Sequence, residues 1–444
     1  MKKRQAYFDN ASTTPLDRRV LRVMMPYFTD DYGNPSNLYE TGRLAKKAIA
    51  EASGQIAAAL HCRPDEFIFT GSATEADNLA LAGAARAHKT AGSGAGQVAA
   101  QSAGKNRIII SAIEHKGILA VCSALEIEGF EVVKLPVGSD GMVSLDELRK
   151  NLNNQTVIVS VTMADSETGT LQPIAEIAEI IKKFRDGKSD AGKSGERADK
   201  SLPYFHTDAS QAAAYANIDV EKLGVDMMTL SAHKLRGPKG IGGLFVKRGL
   251  RLTPIIYGGG QQGRLRSGTE NVPAIVGFGE AVKINEAYKK TGVAKVRKMR
   301  DALRKGIFSE IKKVVQNGHP TKCLPNFLNI SILDIEGESL LLELDEHGIM
   351  INTGSACNSE SLEPSYVLTA LGNPYEFVHG SIRFTLGAET TMSDVKYVLK
   401  HLPKIVDRLR SISPLELSTD ERKVMSDPRA FIGNQTPHFL RKKK

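Results

Sequence analysis

The chain has 444 residues, 41% hydrophobic and 25% charged, the balance of an ordinary globular protein, which excludes collagen-like, coiled-coil and wholly disordered chains. Its formal charge of +9 points at first to nucleic acid, but Lys2, Lys3 and Arg4 supply +3 and Arg441, Lys442, Lys443 and Lys444 supply +4, leaving 9 − 7 = +2 for the body between. A near-neutral body of this kind is not a basic groove that tracks phosphates.

The four cysteines, Cys62, Cys122, Cys323 and Cys357, lie far apart, with no CxxC pair and no histidine at metal-ligand spacing. That usage excludes a disulfide framework and a zinc ribbon. There is no apolar run of about 18 residues to span a membrane, and MKKR passes straight into strand-like AYFDN without an apolar leader. The expectation is a protein of a reducing cytoplasm with no membrane partner.

After that first strand-like stretch, short apolar runs follow one another from about residue 60 to 245: EFIFTG, RIIISAI, FEVVKL, TVIVSVT, YFHTDAS, VDMMTLS and GGLFVK. They are short, rich in β-branched residues and bounded by turn residues, and helical spacing fills the gaps between them. That rhythm predicts an α/β fold of βαβ units around a mostly parallel sheet. Two stretches interrupt it, 90–106 and 186–201, both rich in Gly, Ala, Ser or Lys and read as surface insertions. Beyond residue 263, FLNISILDI and SIRFTLG read as strands, while SLLLELDEHGI and the stretch after Ser393 read as helices. The expected division is a large domain over 15–262, a smaller α+β domain made of 1–14 with 263–413, and a basic tail over 414–444.

Residues 187–194 read GKSDAGKS, a formal match to a phosphate-cradling loop, but no strand precedes the match and polar residues follow it. The cradle needs a strand before it and a helix N-terminus after it, so a solvated lysine-rich loop is the better reading. SAHKLRGPKGIGG, from Ser231 to Gly243, is different. Lys234 follows an apolar run, sits between Ser231 and His233 on one side and the turn residues Gly237 and Pro238 on the other, and has the sheltered strand-end setting that a Schiff base with pyridoxal 5'-phosphate requires. Such a cofactor needs three more things. Asp208 in YFHTDASQ can keep the ring nitrogen protonated, although Asp before AxQ also makes a helix cap. FIFTGSATEADNLAL offers phosphate-binding N–H groups at Ala73 and Thr74, a geometry equally compatible with a capping box of Ser72 and Glu75. His115 in IIISAIEHKG can lie on the ring face or shuttle protons. All four fall at the carboxyl ends of expected strands, where open α/β sheets bind ligands.

Taken together, FDNASTTP, GNPSN, GSATEADN, EHK, HTDASQ, SAHK, RLRSGTENV, TGSACNSESLEPSYVLTALG and SIRFTLG occur in this order. The pattern resembles that of the cysteine desulfurases, fold-type I pyridoxal-phosphate enzymes of the class V aminotransferase group, over about residues 5 to 410. The resemblance implies a seven-stranded, mostly parallel sheet in the large domain. It implies Lys234 as the cofactor-holding lysine and proton carrier, Asp208 on the ring nitrogen, Gln211 on the ring oxygen and His115 against the ring. It assigns the phosphate to Ala73, Thr74, Ser231 and His233, with Thr269 reaching the phosphate of the neighbouring subunit in a homodimer. Arg383 would grip the carboxylate of L-cysteine with help from Asn34.

The resemblance also makes Cys357 the nucleophile that takes sulfur from L-cysteine as a persulfide and releases L-alanine. Its polar setting, TGSACNSES, reads as an exposed loop, whereas Cys62, Cys122 and Cys323 lie in apolar or helical patterns and read as passive. Sulfur acceptors would be proteins such as an iron–sulfur scaffold or a tRNA-thiolation carrier. No resident metal is expected, Cys357 at most ligating a nascent iron–sulfur cluster in passing. One departure stands out: Asp165-Ser166 replaces the family's usual asparagine pair before Glu-x-Gly, so Ser166 would make a shorter-reaching contact to the ring oxygen or none, and Asp165 would oppose anions nearby. The alternatives are a related lyase acting on selenocysteine, an aminotransferase, or a weakly active desulfurase-like adaptor.

Overall fold

The computed structural model describes residues 4–89, 105–190, 201–353 and 364–413. Seven strands form the main sheet: β2 (Phe67–Thr70), β3 (Arg107–Ser111), β4 (Glu131–Leu135), β5 (Thr156–Ser160), β6 (Tyr204–Asp208), β7 (Met227–Ser231) and β8 (Gly242–Val246). Their spatial order is β2-β8-β7-β6-β5-β3-β4. β8 runs antiparallel to both of its neighbours, and the other pairs are parallel. β2, β5, β6 and β7 are buried at every residue, the mark of a sheet covered on both faces. Alternation divides them: Ile109, Val159, Phe205, Met228 and Phe245 enter one core with Ile56 and Phe278, whereas Ile108, Ile110, Ile158, Tyr204, Met227 and Leu244 enter the other with Leu79 and Ile118. Edge strand β4 exposes Glu131 and Lys134, charges that discourage pairing with another sheet.

The later part of the chain builds a second, antiparallel sheet from β9 (Val314–Gln316), β10 (Phe327–Ile332) and β12 (Ser381–Thr385), in the order β12-β10-β9. Leu328, Ile330, Ile382 and Phe384 pack there against Val398, Leu402 and Val406 of the C-terminal helix Met392–Ile412. The first residues return to this region: β1 (Ala6–Tyr7) pairs with β11 (Ile349–Met350), and Asp9 bridges to Thr385. The 39-residue helix Val272–Glu310 joins the two regions. Its Phe278, Ala281 and Val282 pack on the large sheet, and its Val296, Met299, Leu303 and Ile307 pack on the small one.

The helix Ile174–Asp190 runs past residue 186, where the sequence reading begins a loop. Ile174, Ile177 and Ile181 are buried and dock the helix on the sheet, so a single Gly187, costing about 1 kcal/mol in a helix, does not end it. The rest of GKSDAGKS lies outside the described residues, as do 90–104, the tail from 414 and the stretch 354–363 that contains Cys357.

Candidate active site

Strands β2, β3, β5, β6 and β7 end on one cavity of roughly 620 Å³. Ala73, Thr74, His115, Ser166, Asp208, Gln211, Ser231, His233, Lys234 and Arg383 all line it. Parallel strands end at one edge of the sheet, so side chains distant in sequence converge there. Lys234 also lines a smaller cavity, of about 270 Å³, that extends past Tyr7 and Tyr288.

The anion-binding wall is the start of the helix Ala73–Lys89. Ser72 Oγ accepts from Glu75 N at 3.1 Å, and the Glu75 carboxylate accepts from Gly71 N at 2.8 Å and pairs with Arg266 at 2.9 Å. The cap and the anion site therefore coexist: Ala73 and Thr74 occupy the first turn, whose N–H groups have no intrahelical acceptor and carry the positive end of the helix dipole. Strand β8 passes beneath at Gly242, where a Cβ would lie 2.5 Å from the Ser72 carbonyl carbon and 2.6 Å from Ala73 N. His233 faces Thr13 Oγ1 at 3.1 Å, and burial, with Lys234 and Lys239 nearby, pulls its pKa down to about 4. It is neutral at pH 7 and offers a hydrogen bond without a charge.

On the floor, Asp208 Oδ1 accepts from Ser210 N at 2.8 Å, a local turn that fixes the carboxylate, and the residue is 7% exposed. Beneath it His206 is fully buried between Ser160 Oγ at 2.8 Å and Thr229 Oγ1 at 3.0 Å, and burial pulls its pKa down to about 3. Gln211 Nε2 donates to Ala11 O at 3.0 Å, and Lys234 Nζ donates to Ala11 O and to Ser12 O. His115 caps the helix Lys116–Ile127 by accepting Gly117 N on Nδ1 at 3.1 Å, which leaves the ring proton on Nε2.

Arg383 closes the opposite wall and is 8% exposed. Its Nη2 pairs with Asp9 Oδ1 at 2.8 Å and reaches Ser12 Oγ at 3.1 Å, while Nη1 donates to Ser166 O at 2.6 Å. Its Nε is buried and has no hydrogen-bond partner among the described residues. Asn352 Nδ2 donates to Asp9 Oδ2 at 3.1 Å and to Ser12 Oγ at 3.0 Å, and Thr353 lies on the cavity rim. Asp9 and Ser12 sit in the FDNAST motif, but their part in orienting Arg383 depends on a fold-back of the N-terminus that local sequence does not show.

Asn34, expected beside Arg383, is exposed and does not line this cavity; Thr269, expected at the phosphate of a neighbouring subunit, is exposed and lies outside it. Asp165 turns its carboxylate into its own loop, accepting from Glu167 N at 2.9 Å, Thr168 N at 2.7 Å, Thr170 N at 3.0 Å and Thr168 Oγ1 at 2.5 Å, and the anion it opposes is the carboxyl of Glu167 beside it. The cavity carboxyl next to it is Glu167, which burial pushes up to about 7. Sequence reading passes over this residue because it sits inside a loop motif. Cys62 and Cys122 have thiols that burial pushes up to about 12, and buried Cys323 receives Arg300 Nη1 at 3.2 Å.

The donor set fits pyridoxal 5'-phosphate. A helix start free of side-chain bulk at Gly242 suits a phosphate, a fixed carboxylate suits a ring nitrogen, and the Lys234 amine and the Arg383 guanidinium line the same cavity, suited to an aldehyde and to a carboxylate.

A family model described as aminotransferase class-V matches residues 6–398. The chain is 44% identical over 409 residues to the cysteine desulfurase IscS of Methanosarcina thermophila, covering 92% of this chain and 94% of that one. A solved structure described as a NifS-like protein superposes with a TM-score of 0.80 at 33% identity, covering 91% of this chain and all of the other. Another, described as SspA in complex with cysteine, gives a TM-score of 0.71 at 31% identity and covers 87% of this chain.

Proposed function

Because the chain belongs to the class-V aminotransferase family and, within it, to the cysteine desulfurases, we propose that it converts L-cysteine to L-alanine, with the sulfur carried as a persulfide on Cys357. The observation that carries this reading is the convergence of Lys234, Asp208, His115 and Arg383 on one cavity whose rim includes Thr353. Cys357 follows Thr353 by four residues, a tether of at most about 14 Å.

Pyridoxal 5'-phosphate, bound in this cavity, would supply the electron sink for breaking bonds at the substrate Cα. Lys234 would hold it and, once released, move the proton at that carbon. Asp208 would keep the ring nitrogen protonated, His115 would lie against the ring, and Gln211 and Ser166 would face the ring oxygen. Ala73, Thr74, Ser231 and neutral His233 would bind the phosphate. Exposed Thr269 would reach the phosphate of the other subunit in a homodimer. Arg383, oriented by Asp9, Ser12 and Ser166 O, would take the substrate carboxylate in a two-pronged contact.

The Cys357 thiolate would then attack the substrate sulfur. An S–S bond forms, the Cβ–S bond breaks with its electron pair left on carbon, and that carbon takes up a proton and leaves as alanine. The persulfide passes to an acceptor protein of the cytoplasm, such as an iron–sulfur scaffold or a tRNA-thiolation carrier. Among the described residues no helix is long and apolar enough to cross a membrane.

A single turnover with L-cysteine tests the reading. One equivalent of alanine is expected together with a mass gain of one sulfur atom on the peptide containing Cys357, both lost in Cys357→Ser. Cofactor-loaded protein that makes no alanine would overturn it, and alanine with persulfide on another cysteine would remove Cys357 from the role.

A further inference from the structure

The stretch that carries Cys357 rejoins the described chain at Ser365, where two polar contacts tie it to the cavity wall. The Ser365 hydroxyl donates to Glu167 Oε2 and, as N-cap of the short helix Tyr366–Ala370, accepts from Leu368 N at 3.1 Å. Tyr366 OH donates to the backbone carbonyl of Glu114 at 2.7 Å. Beneath them lies a small apolar cluster of Ile113, Val367 and Leu371. Apolar contact holds that helix on the wall but is non-directional. The direction in which the chain leaves the wall is set by hydrogen bonds, which are angular. Ser365 is 3% exposed and Glu167 7%, so the contact between them is shielded from water.

We propose that Glu167 is a positioning residue for sulfur transfer, holding Ser365 so that the Cys357 segment starts from a fixed point on the cavity wall. The inference rests on the role proposed above for Cys357. At the other end, Asn352 is pinned to Asp9 and Ser12. A segment fixed at both ends presents its thiol to the cavity at a higher effective concentration than one fixed at a single end. Glu167 sits directly after Ser166, whose carbonyl receives Arg383, so one short loop serves both substrate binding and the anchor.

The test uses the cofactor-loaded full chain and two readouts: the single-turnover rate of persulfide formation on Cys357, and the affinity for L-alanine, which carries the carboxylate and amine of the substrate without its sulfur. Glu167→Ala should slow transfer roughly tenfold, the worth of one buried hydrogen bond, and leave alanine affinity within about twofold. Glu167→Gln keeps a carbonyl acceptor for Ser365 and should restore most of the rate. Ser365→Ala removes the same contact from the other side and should match Glu167→Ala, which keeps the test decisive if either variant folds poorly. Transfer at the wild-type rate in both alanine variants overturns the inference, and so does a parallel loss of alanine affinity, which would place Glu167 in substrate binding. Wild-type protein that forms no persulfide on Cys357 overturns the proposed function itself and the inference with it.

Discussion

The resemblance drawn from the sequence implies asparagine where Asp165 stands, and the two oxygens of Asp165 meet four donors of its own loop. The amide of asparagine has a single acceptor oxygen. In Asp165→Asn that oxygen can still take Glu167 N and Thr168 N, but the amide nitrogen then faces Thr170 N–H, donor against donor. The family residue is therefore expected to destabilise this chain by about 1–3 kcal/mol, read as a lower urea midpoint. An unchanged midpoint would mean that the loop is held by other contacts. The sequence alone does not show the setting of Asp165, because whether a carboxylate faces a ligand or its own backbone is decided by loop geometry.

At the scale of elements, the phosphate wall depends on how closely the helix Ala73–Lys89 approaches β8. Strand and helix can meet only because residue 242 lacks a Cβ: one placed there would sit within 2.6 Å of both Ser72 C and Ala73 N. Backbone cannot yield as a flexible side chain does, so Gly242→Ala must push the helix start away from the cavity at a cost of about 1–3 kcal/mol. The expected result is a cofactor dissociation constant raised roughly tenfold or more, measured from the absorbance of the bound form, with the far-UV circular dichroism unchanged. Retention of the cofactor at wild-type affinity would show that the phosphate lies elsewhere. Most elements on this wall were legible in advance because strand and helix periods differ so clearly. The antiparallel run of β8 was not, since a strand buried on both faces has the same apolar pattern in either direction. The continuation of the helix from Ile174 past residue 186 is likewise not legible, because docking of Ile174, Ile177 and Ile181 outweighs the glycine that marks a stop in the sequence.

Across the whole molecule, the first core and the small-sheet core are linked by one helix, Val272–Glu310, and Glu114, Glu167 and Asp77, which the sequence shows only as letters in motifs, are buried. Burial is a property of the assembled fold, so the state of these groups is unreadable until the sheet and its helices are in place. It has a consequence for stability. Burial pushes Glu114 up to about 8, although Ser111 Oγ and Thr162 N donate to it, and pushes Glu167 up to about 7. Both are protonated in the native state where the unfolded chain, titrating near 4.5, has already lost the proton. Stability from these groups is thus present in full below about pH 4.5 and lost as pH rises toward 7 and 8. Buried His206, pulled down to about 3, and His233, pulled down to about 4, act in the opposite sense, but their contribution is complete once the unfolded imidazole is neutral above about pH 6.5. Between pH 6.5 and 8 the buried carboxyls carry the change, Asp77, which burial holds well above its ordinary value, acting in the same sense as the two glutamates, and the unfolding free energy should fall by about 1–2 kcal/mol or more at the linkage slope of one proton. Glu114→Gln cannot ionise and keeps an acceptor for Ser111 and Thr162, so its urea midpoint should fall less than that of the wild type over this window. Equal pH dependence in the two proteins would mean that Glu114 is already ionised in the native state and that its carboxylate finds a partner the buried, uncontacted Oε2 does not show.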